Sequence, residues 1–173
     1  GTNERALTQV KAVDNEYPLI GNVQLVSGKS FKDVFRQPKS AVMESDLASR
    51  LGIDIGETFS LGLTKFVLRD IIQSSPDDAG TNFGFGPRTI VKSEDLLDSG
   101  LIAPGTLFTA KYRLLIEPFE NLDKLRALAK IKFENNGMRW RDARNGAPGI
   151  SEFVSRLSAF FIMVGLAGLV VGG

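Results

Sequence analysis

Residues 159–173 read Ala-Phe-Phe-Ile-Met-Val-Gly-Leu-Ala-Gly-Leu-Val-Val-Gly-Gly, with no charged, amide or hydroxyl side chain among them. Crossing a bilayer core takes about 20 such residues, so the run reads either as a buried core helix or as part of a membrane span. A helix lying on a small soluble domain keeps a polar stripe, and this run is apolar on every face, which favours the span. Gly165, Gly168 and Gly172 point the same way. Each would cost roughly 1 kcal/mol in a water-exposed helix, whereas membrane helices use small residues for close backbone approach. Just upstream, Ile150, Phe153, Val154 and Leu157 share one helical face behind a Ser151 cap, so an amphipathic lead-in to the span is expected. The opening Gly1-Thr2-Asn3-Glu4 has neither an initiator Met nor a signal-like segment, and the sequence is expected to be a piece of a longer polypeptide.

Composition narrows the chemistry. A length of 173 residues suits one domain or two small subdomains, and 43% hydrophobic with 24% charged residues describes a globular chain. The 21 basic and 20 acidic residues leave a net charge of +1, which steers no polyanion, so no nucleic-acid partner is expected. With neither Cys nor His, the chain has no thiolate nucleophile, no disulfide, none of the usual zinc or iron ligands and no imidazole base. Any catalysis would have to run on carboxylates, Lys, Tyr or Ser. No cofactor, metal or catalytic residue is indicated.

Along the soluble part, partial alternation predicts strands over 5–13 and 23–26, followed by a surface excursion without period over 27–40. Ser45 is expected to cap a short helix in which Leu47 and Leu51 stack, ending at Gly52. A tight turn over 53–58 leads to a strand at 59–61, a second turn at 62–64 and a strand over 65–72, together a compact β-rich subdomain. After a polar loop over 73–82 come a strand over 88–92 and a short helix capped by Ser93. The last unit reads as β-α-β: a strand over 106–117, a helix over 121–135 with Leu122, Leu125, Leu128, Ala129 and Phe133 inward, a Gly137 cap and a strand over 138–141. No internal repeat is read.

The motifs carry little chemistry. Phe83-Gly84-Phe85-Gly86 lacks the third glycine, the Gly-Lys-Ser/Thr ending and the following helix of a phosphate loop; Phe83 and Phe85 read instead as exposed-loop contacts for a partner or substrate. Asp77-Asp78 reads as a solvated turn. As a strand, residues 138–141 put Arg139 and Arg141 on the wet face and Met138 and Trp140 on the core face. The functional reading of Arg139, Arg141 and Arg144 is contact with lipid headgroups. No spacing supports an acid–base pair from Glu57 and Glu117 or from Lys111 and Tyr112.

Three strings resemble one family. Val10-Lys-Ala-Val-Asp-Asn-Glu-Tyr-Pro-Leu-Ile-Gly21, Leu47-Ala-Ser-Arg-Leu-Gly-Ile-Asp-Ile-Gly-Glu-Thr-Phe59, and Asn145-Gly-Ala-Pro-Gly-Ile150 running into Phe153-Val-Ser-Arg-Leu157 are similar to the FtsX-like, MacB-type permeases of bacterial ABC transport systems. The large permeases associated with lysophospholipase genes are the nearest likeness. The resemblance implies an α+β fold: a porter-like split β-α-β sheet with an inserted small β-rich subdomain, followed by the start of a transmembrane helix. Residues 1–37 would end the first half of the porter-like part, 38–106 form the insertion, 107–149 the second half, and 150–173 the lead-in and membrane helix. It further implies a non-enzymatic extracytoplasmic domain at the bacterial inner membrane. Its partners would be a cytoplasmic ABC ATPase, the remaining permease helices, and a periplasmic partner or lipid-like substrate. Phe153, Val154 and Leu157 would couple the domain to the moving membrane helices. A membrane-anchored or oligomeric binding module, and a hydrolase built on carboxylates, are the competing expectations.

Overall fold

The computed structural model describes residues 4–76, 86–117, 120–142, 157 and 160–162, and the chain divides into two units, Gly1–Leu115 and Ile116–Gly173. The first is mixed α/β. In chain order it carries β1 (Gln9–Val13), β2 (Gln24–Leu25), α1 (Phe31–Val34), β3 (Ser40–Glu44), α2 (Ser45–Leu51), β4 (Thr58–Leu61), β5 (Thr64–Ser74), β6 (Arg88–Lys92) and α3 (Ser93–Leu96), which tightens into a 3-10 turn over Leu97–Ser99. The strands form one mixed sheet in the order β1-β6-β3-β5-β2, with β4 also on β5. β1 runs parallel to β6 and β3 parallel to β5, while β6–β3, β5–β2 and β5–β4 are antiparallel.

Both faces of this sheet are covered. On one face Val13, Val42, Ile72 and Ile90 pack with Val23, Leu25 and the α1 residues Phe31 and Val34. On the other, Ala41 and Val91 pack with Leu61, Phe66 and Leu96, and Met43 and Leu68 with Leu47 and Ala48 of α2. Burial on both sides fits the short unbroken apolar runs Ala41–Met43 of β3 and Ile90–Val91 of β6, and β3 is a strand that the sequence reading left unassigned. Between Ala41 and Val42 the pairing with β5 slips, so Leu68 faces Ala41 but Asp70 faces Val42. This bulge changes the face of every later β5 residue and sends Ile72 into the α1 core.

An approximate two-fold relates the halves of the sheet. In the β3–β6 ladder Val42 pairs with Ile90, Ala41 with Val91 and Met43 with Thr89, so adding 48 to a β3 residue gives its β6 counterpart. The same operation turns the Val67 N–H to Lys39 carbonyl bond (2.9 Å) into the Gln9 N–H to Pro87 carbonyl bond (2.9 Å), matching β5 to β1. Each central strand runs straight into a helix that ends at a left-handed glycine, Gly52 (φ 60°) or Gly100 (φ 72°). The sequence expectation of no repeat is corrected: the repetition lies in register and turn geometry, where few side chains are shared.

Several local expectations shift. β1 and β2 are shorter than read, and the excursion over 27–40 contains α1, whose Phe31 and Val34, with Phe35, are core residues. Ser45 and Ser93 are the first helical residues rather than caps; Glu44 and Lys92 precede them without a side-chain cap bond. β6 spans the residues read as a strand.

The segments read as strands over 106–117 and 138–141 carry no strand among their described residues. A β pattern becomes a strand only with a hydrogen-bonded neighbour. In the second unit α4 (Leu122–Lys132) is capped by Asn121, whose Oδ1 accepts from the N–H groups of Asp123 (3.0 Å) and Lys124 (3.1 Å). The inward face expected for α4 is not buried: Leu122, Leu125 and Ala129 are half-buried and Leu128 and Phe133 exposed.

The β4–β5 turn supplies a test. Gly62 (φ 62°) lies so close to the 3-10 turn that a Cβ would stand 2.2 Å from the Ser99 carbonyl oxygen, which accepts the Leu63 N–H at 2.7 Å. Gly28 (φ 72°) has open space at the same position. Both Gly62→Ala and Gly28→Ala incur the left-handed penalty of about 1–2 kcal/mol. Urea unfolding is expected to show Gly62→Ala as the less stable by a further ~1–3 kcal/mol, the range for forced overpacking.

Candidate functional site

Three polar clusters brace the first unit. Asp70, fully buried in β5, accepts from the Ile71 N–H (2.8 Å), the Ser27 N–H (3.3 Å) and the Ser27 hydroxyl. The bulge makes this possible by turning Asp70 toward the β2 side, where it fixes the start of the segment leading to α1. The second cluster joins the ends of β1 and β5. Lys11 Nζ donates to Tyr17 Oη at 2.8 Å and lies 4.0 Å from the ring centroid, and Tyr17 Oη is 3.2 Å from the buried Ser75 hydroxyl. Tyr17 also packs edge-on against Phe31, with centroids 5.5 Å apart. A Lys–Tyr–Ser trio could pass a proton, but here Tyr17 is a stave of the α1 core, and the trio pins the 14–22 loop to the end of β5.

The third cluster lines an open groove of about 280 Å³ bounded by Lys29, Asp33, Val34, Arg36, Gln37 and Arg69. Three cations face one carboxylate there, yet both guanidinium groups are engaged. Arg36 pairs with Asp33 at 2.7 Å, and Arg69 donates to the Gln37 side-chain carbonyl and to Ser40 Oγ (3.4 Å). Ser40 in turn donates to the Gln37 carbonyl at 2.8 Å. The groove is a braced joint between α1 and the central strands rather than a prepared anion site. Among the described residues no group of three Asp, Glu, His or Cys side chains could hold a metal ion.

Of the residues singled out from sequence, Arg139, Arg141 and Leu157 are described. Phe83, Phe85, Arg144, Phe153 and Val154 lie outside the described residues. Arg139 and Arg141 are exposed, flanking a half-buried Trp140 whose indole N–H donates to Asp142 Oδ2 at 3.3 Å. Leu157 is helical and 41% exposed, as are Phe160, Phe161 and Ile162 at 59–65%. Among the described residues no helix is long and apolar enough to cross a membrane, and most of the apolar run of 159–173 lies outside them. Sequence reasoning missed all three clusters, because each joins residues far apart in the chain. Only Asp70, a lone acid inside an apolar strand run, carried a local sign.

Each unit also exposes apolar side chains. Leu107, Phe108, Tyr112, Leu114 and Leu115 are 66–99% exposed in one extended segment, and on α4 Leu128 and Ile131 stand in solvent. Exposed apolar side chains of this size mark contact with another surface rather than a catalytic cleft.

The Asp70 bracket is the most exacting of these interactions. Asp70→Ala is expected to cost about 3 kcal/mol or more, as expected when charge-assisted bonds are lost and buried donors orphaned, and Asp70→Asn less. Urea denaturation of the two variants checks the order.

No family model matches the chain. The chain is 30% identical over 108 residues, 62% of its length, to the uncharacterised ABC transporter permease YbbP of Escherichia coli (strain K12), and it spans 13% of that protein. It is thus a distant relative of a piece of an ABC transporter permease.

Proposed function

We propose that the chain is an extracytoplasmic domain of the permease subunit of an ABC-type export or mechanotransmission system. In this role it would pass ATPase-driven movement of membrane helices to a substrate or partner outside the cell membrane. The observation that carries this reading is the similarity to a permease over 108 residues. The physical character of the first unit supports it. A sheet covered on both faces and pinned by buried polar brackets moves as a rigid body, which is what a lever needs.

In this reading residues 107–149 belong to a porter-like half and 38–106 to an inserted subdomain. The apolar run of 159–173 is membrane-embedded, and Phe153, Val154 and Leu157 couple it to the domain. Arg139, Arg141 and Arg144 face lipid headgroups, and Phe83 and Phe85 meet the partner or substrate. ATP hydrolysis belongs to a separate cytoplasmic subunit.

The test uses the full-length protein reconstituted in lipid nanodiscs with its ATPase. Phe153→Ser and Leu157→Ser are expected to leave the complex assembled while lowering permease-stimulated ATP turnover at least about fivefold, the lower end of ordinary coupling free energies. Unchanged turnover in both variants removes the coupling role. Recovery of the full-length protein in the supernatant after ultracentrifugation of lysed cells removes the permease reading altogether.

A further inference from the structure

Among the described residues the approximate two-fold leaves β4 without a paired counterpart, and it identifies what belongs there. After α2 the chain makes a turn in which the Glu57 N–H bonds to the Asp54 carbonyl (3.1 Å) across Gly56 (φ 100°), and Asp54 N–H donates to the Glu57 side chain (2.8 Å). After α3 the same turn recurs one residue further on. The Thr106 N–H bonds to the Ala103 carbonyl (3.0 Å) across Gly105 (φ 91°), and Ala103 N–H faces Thr106 Oγ1 (3.4 Å). Glu57 therefore corresponds to Thr106, and the β4 residues Thr58, Phe59, Ser60 and Leu61 to Leu107, Phe108, Thr109 and Ala110. A phenylalanine and a hydroxyl residue recur in the same order.

The first copy of this segment, β4, is clasped to β5. Thr58 pairs with Val67, Phe59 with Phe66 and Ser60 with Lys65, and the turn is locked by Gly56 N–H to the Leu68 carbonyl (2.7 Å) and Leu68 N–H to the Glu57 carbonyl (2.9 Å). The second copy is loose. Leu107 and Phe108 are 99% and 66% exposed, and residues 106–110 carry no ladder. The counterpart of β5 is β1, the outer strand of the sheet. Gln9 bonds inward to Pro87, so by alternation the N–H and carbonyl of Val10 point outward along an open edge. Leu7, just before β1, is 89% exposed.

We infer that the outer edge of β1 is a docking site for the chain's own residues 107–110, which add antiparallel to residues 6–9 as β4 does to β5. The register follows from the two-fold: Leu107 opposite Gln9, Phe108 opposite Thr8, Thr109 opposite Leu7 and Ala110 opposite Ala6. Gly105 N–H then meets the Val10 carbonyl, and Val10 N–H the Thr106 carbonyl. Docking satisfies an exposed strand edge and covers apolar side chains left in water on both segments. It also makes the segment entering the first unit and the segment leaving it hydrogen-bonded neighbours. A displacement of one is then carried directly to the other, whatever system the domain serves.

Residues 1–173 hold no cysteine, so none of their own competes with an introduced pair. Leu7 and Thr109 correspond to the non-hydrogen-bonded pair Lys65 and Ser60, whose close Cα spacing suits a disulfide. Under mild oxidation the full-length chain carrying Leu7→Cys and Thr109→Cys is expected to form an intramolecular disulfide at least about tenfold faster than one carrying Ala6→Cys and Thr109→Cys, whose side chains fall on opposite faces. Hydrogen exchange of the unsubstituted chain provides a reading independent of any variant. The amides of Thr8, Val10, Gly105 and Phe108 are expected to be protected at least tenfold. Equal cross-linking of the two pairs, a disulfide that forms only between two copies, or exchange of these amides at unprotected rates each overturns the inference.

Discussion

The first unit depends on one strand being enclosed on every side. β3 donates and accepts along both edges, to parallel β5 and to antiparallel β6, and its residues from Ser40 to Met43 are all buried. A strand so placed cannot have a solvent face, so both layers of the structure follow from it. Val42 requires a cover on one side, which α1 and the β2 segment provide. Ala41 and Met43 require one on the other, which α2, α3 and the β4–β5 hairpin provide. The bulge at Arg69–Asp70 reconciles the two. Without it β5 would keep Phe66, Leu68 and Ile72 on a single face, and the α1 layer would lose the isoleucine that anchors it.

The elements legible in the sequence are those whose signal is local. β6 lies between turn residues and a helix start, α2 is closed by a glycine in the left-handed region, and the β4–β5 hairpin has its own Gly62 turn. What escaped is what only a tertiary partner decides. α1 is one turn long, too short to show a period, though Phe31, Val34 and the C-cap residue Phe35 hold the i, i+3, i+4 spacing. Residues 106–117 alternate well enough to read as a strand, but alternation states only which side chains would share a face and supplies no neighbour. The two-fold escaped because backbone geometry preserves it. Gly52 and Gly100 keep their conformation while Leu47, packed in the core, corresponds by position to the half-buried Asp95, and a one-residue insertion before Gly105 breaks the spacing.

The candidate site was less legible than the fold, for a related reason. Lys11, Tyr17 and Ser75 are unremarkable apart, and so are Gln37, Ser40 and Arg69; each group exists only because β5 runs past both the β1 loop and α1. Once assembled, their polar atoms bond to one another, even where Gln37 and Arg69 line the groove. Hydrogen-bonding capacity turned inward fixes geometry, and fixed geometry suits the transmission of movement better than the binding of a small molecule.

Rigidity alone does not make a lever, since load must enter and leave through segments that do not peel away. β1 lies parallel to β6 over five paired residues, Gln9 with Arg88 through Val13 with Lys92. A pull along β1 therefore loads these bonds together, in shear, rather than one after another. The hydrophobic packing of Val13 in the α1 core and of Val10 against the cluster on the opposite face resists the same slide. Tension applied at residues 4–8 thus reaches β6 and, through the Val42–Ile90 pair, β3 at the centre of the sheet. From β3 it passes along parallel β5, so the whole unit is displaced before any one strand is withdrawn. That order of events follows from strand direction, and an antiparallel hairpin pulled from its two ends at one side would open bond by bond instead.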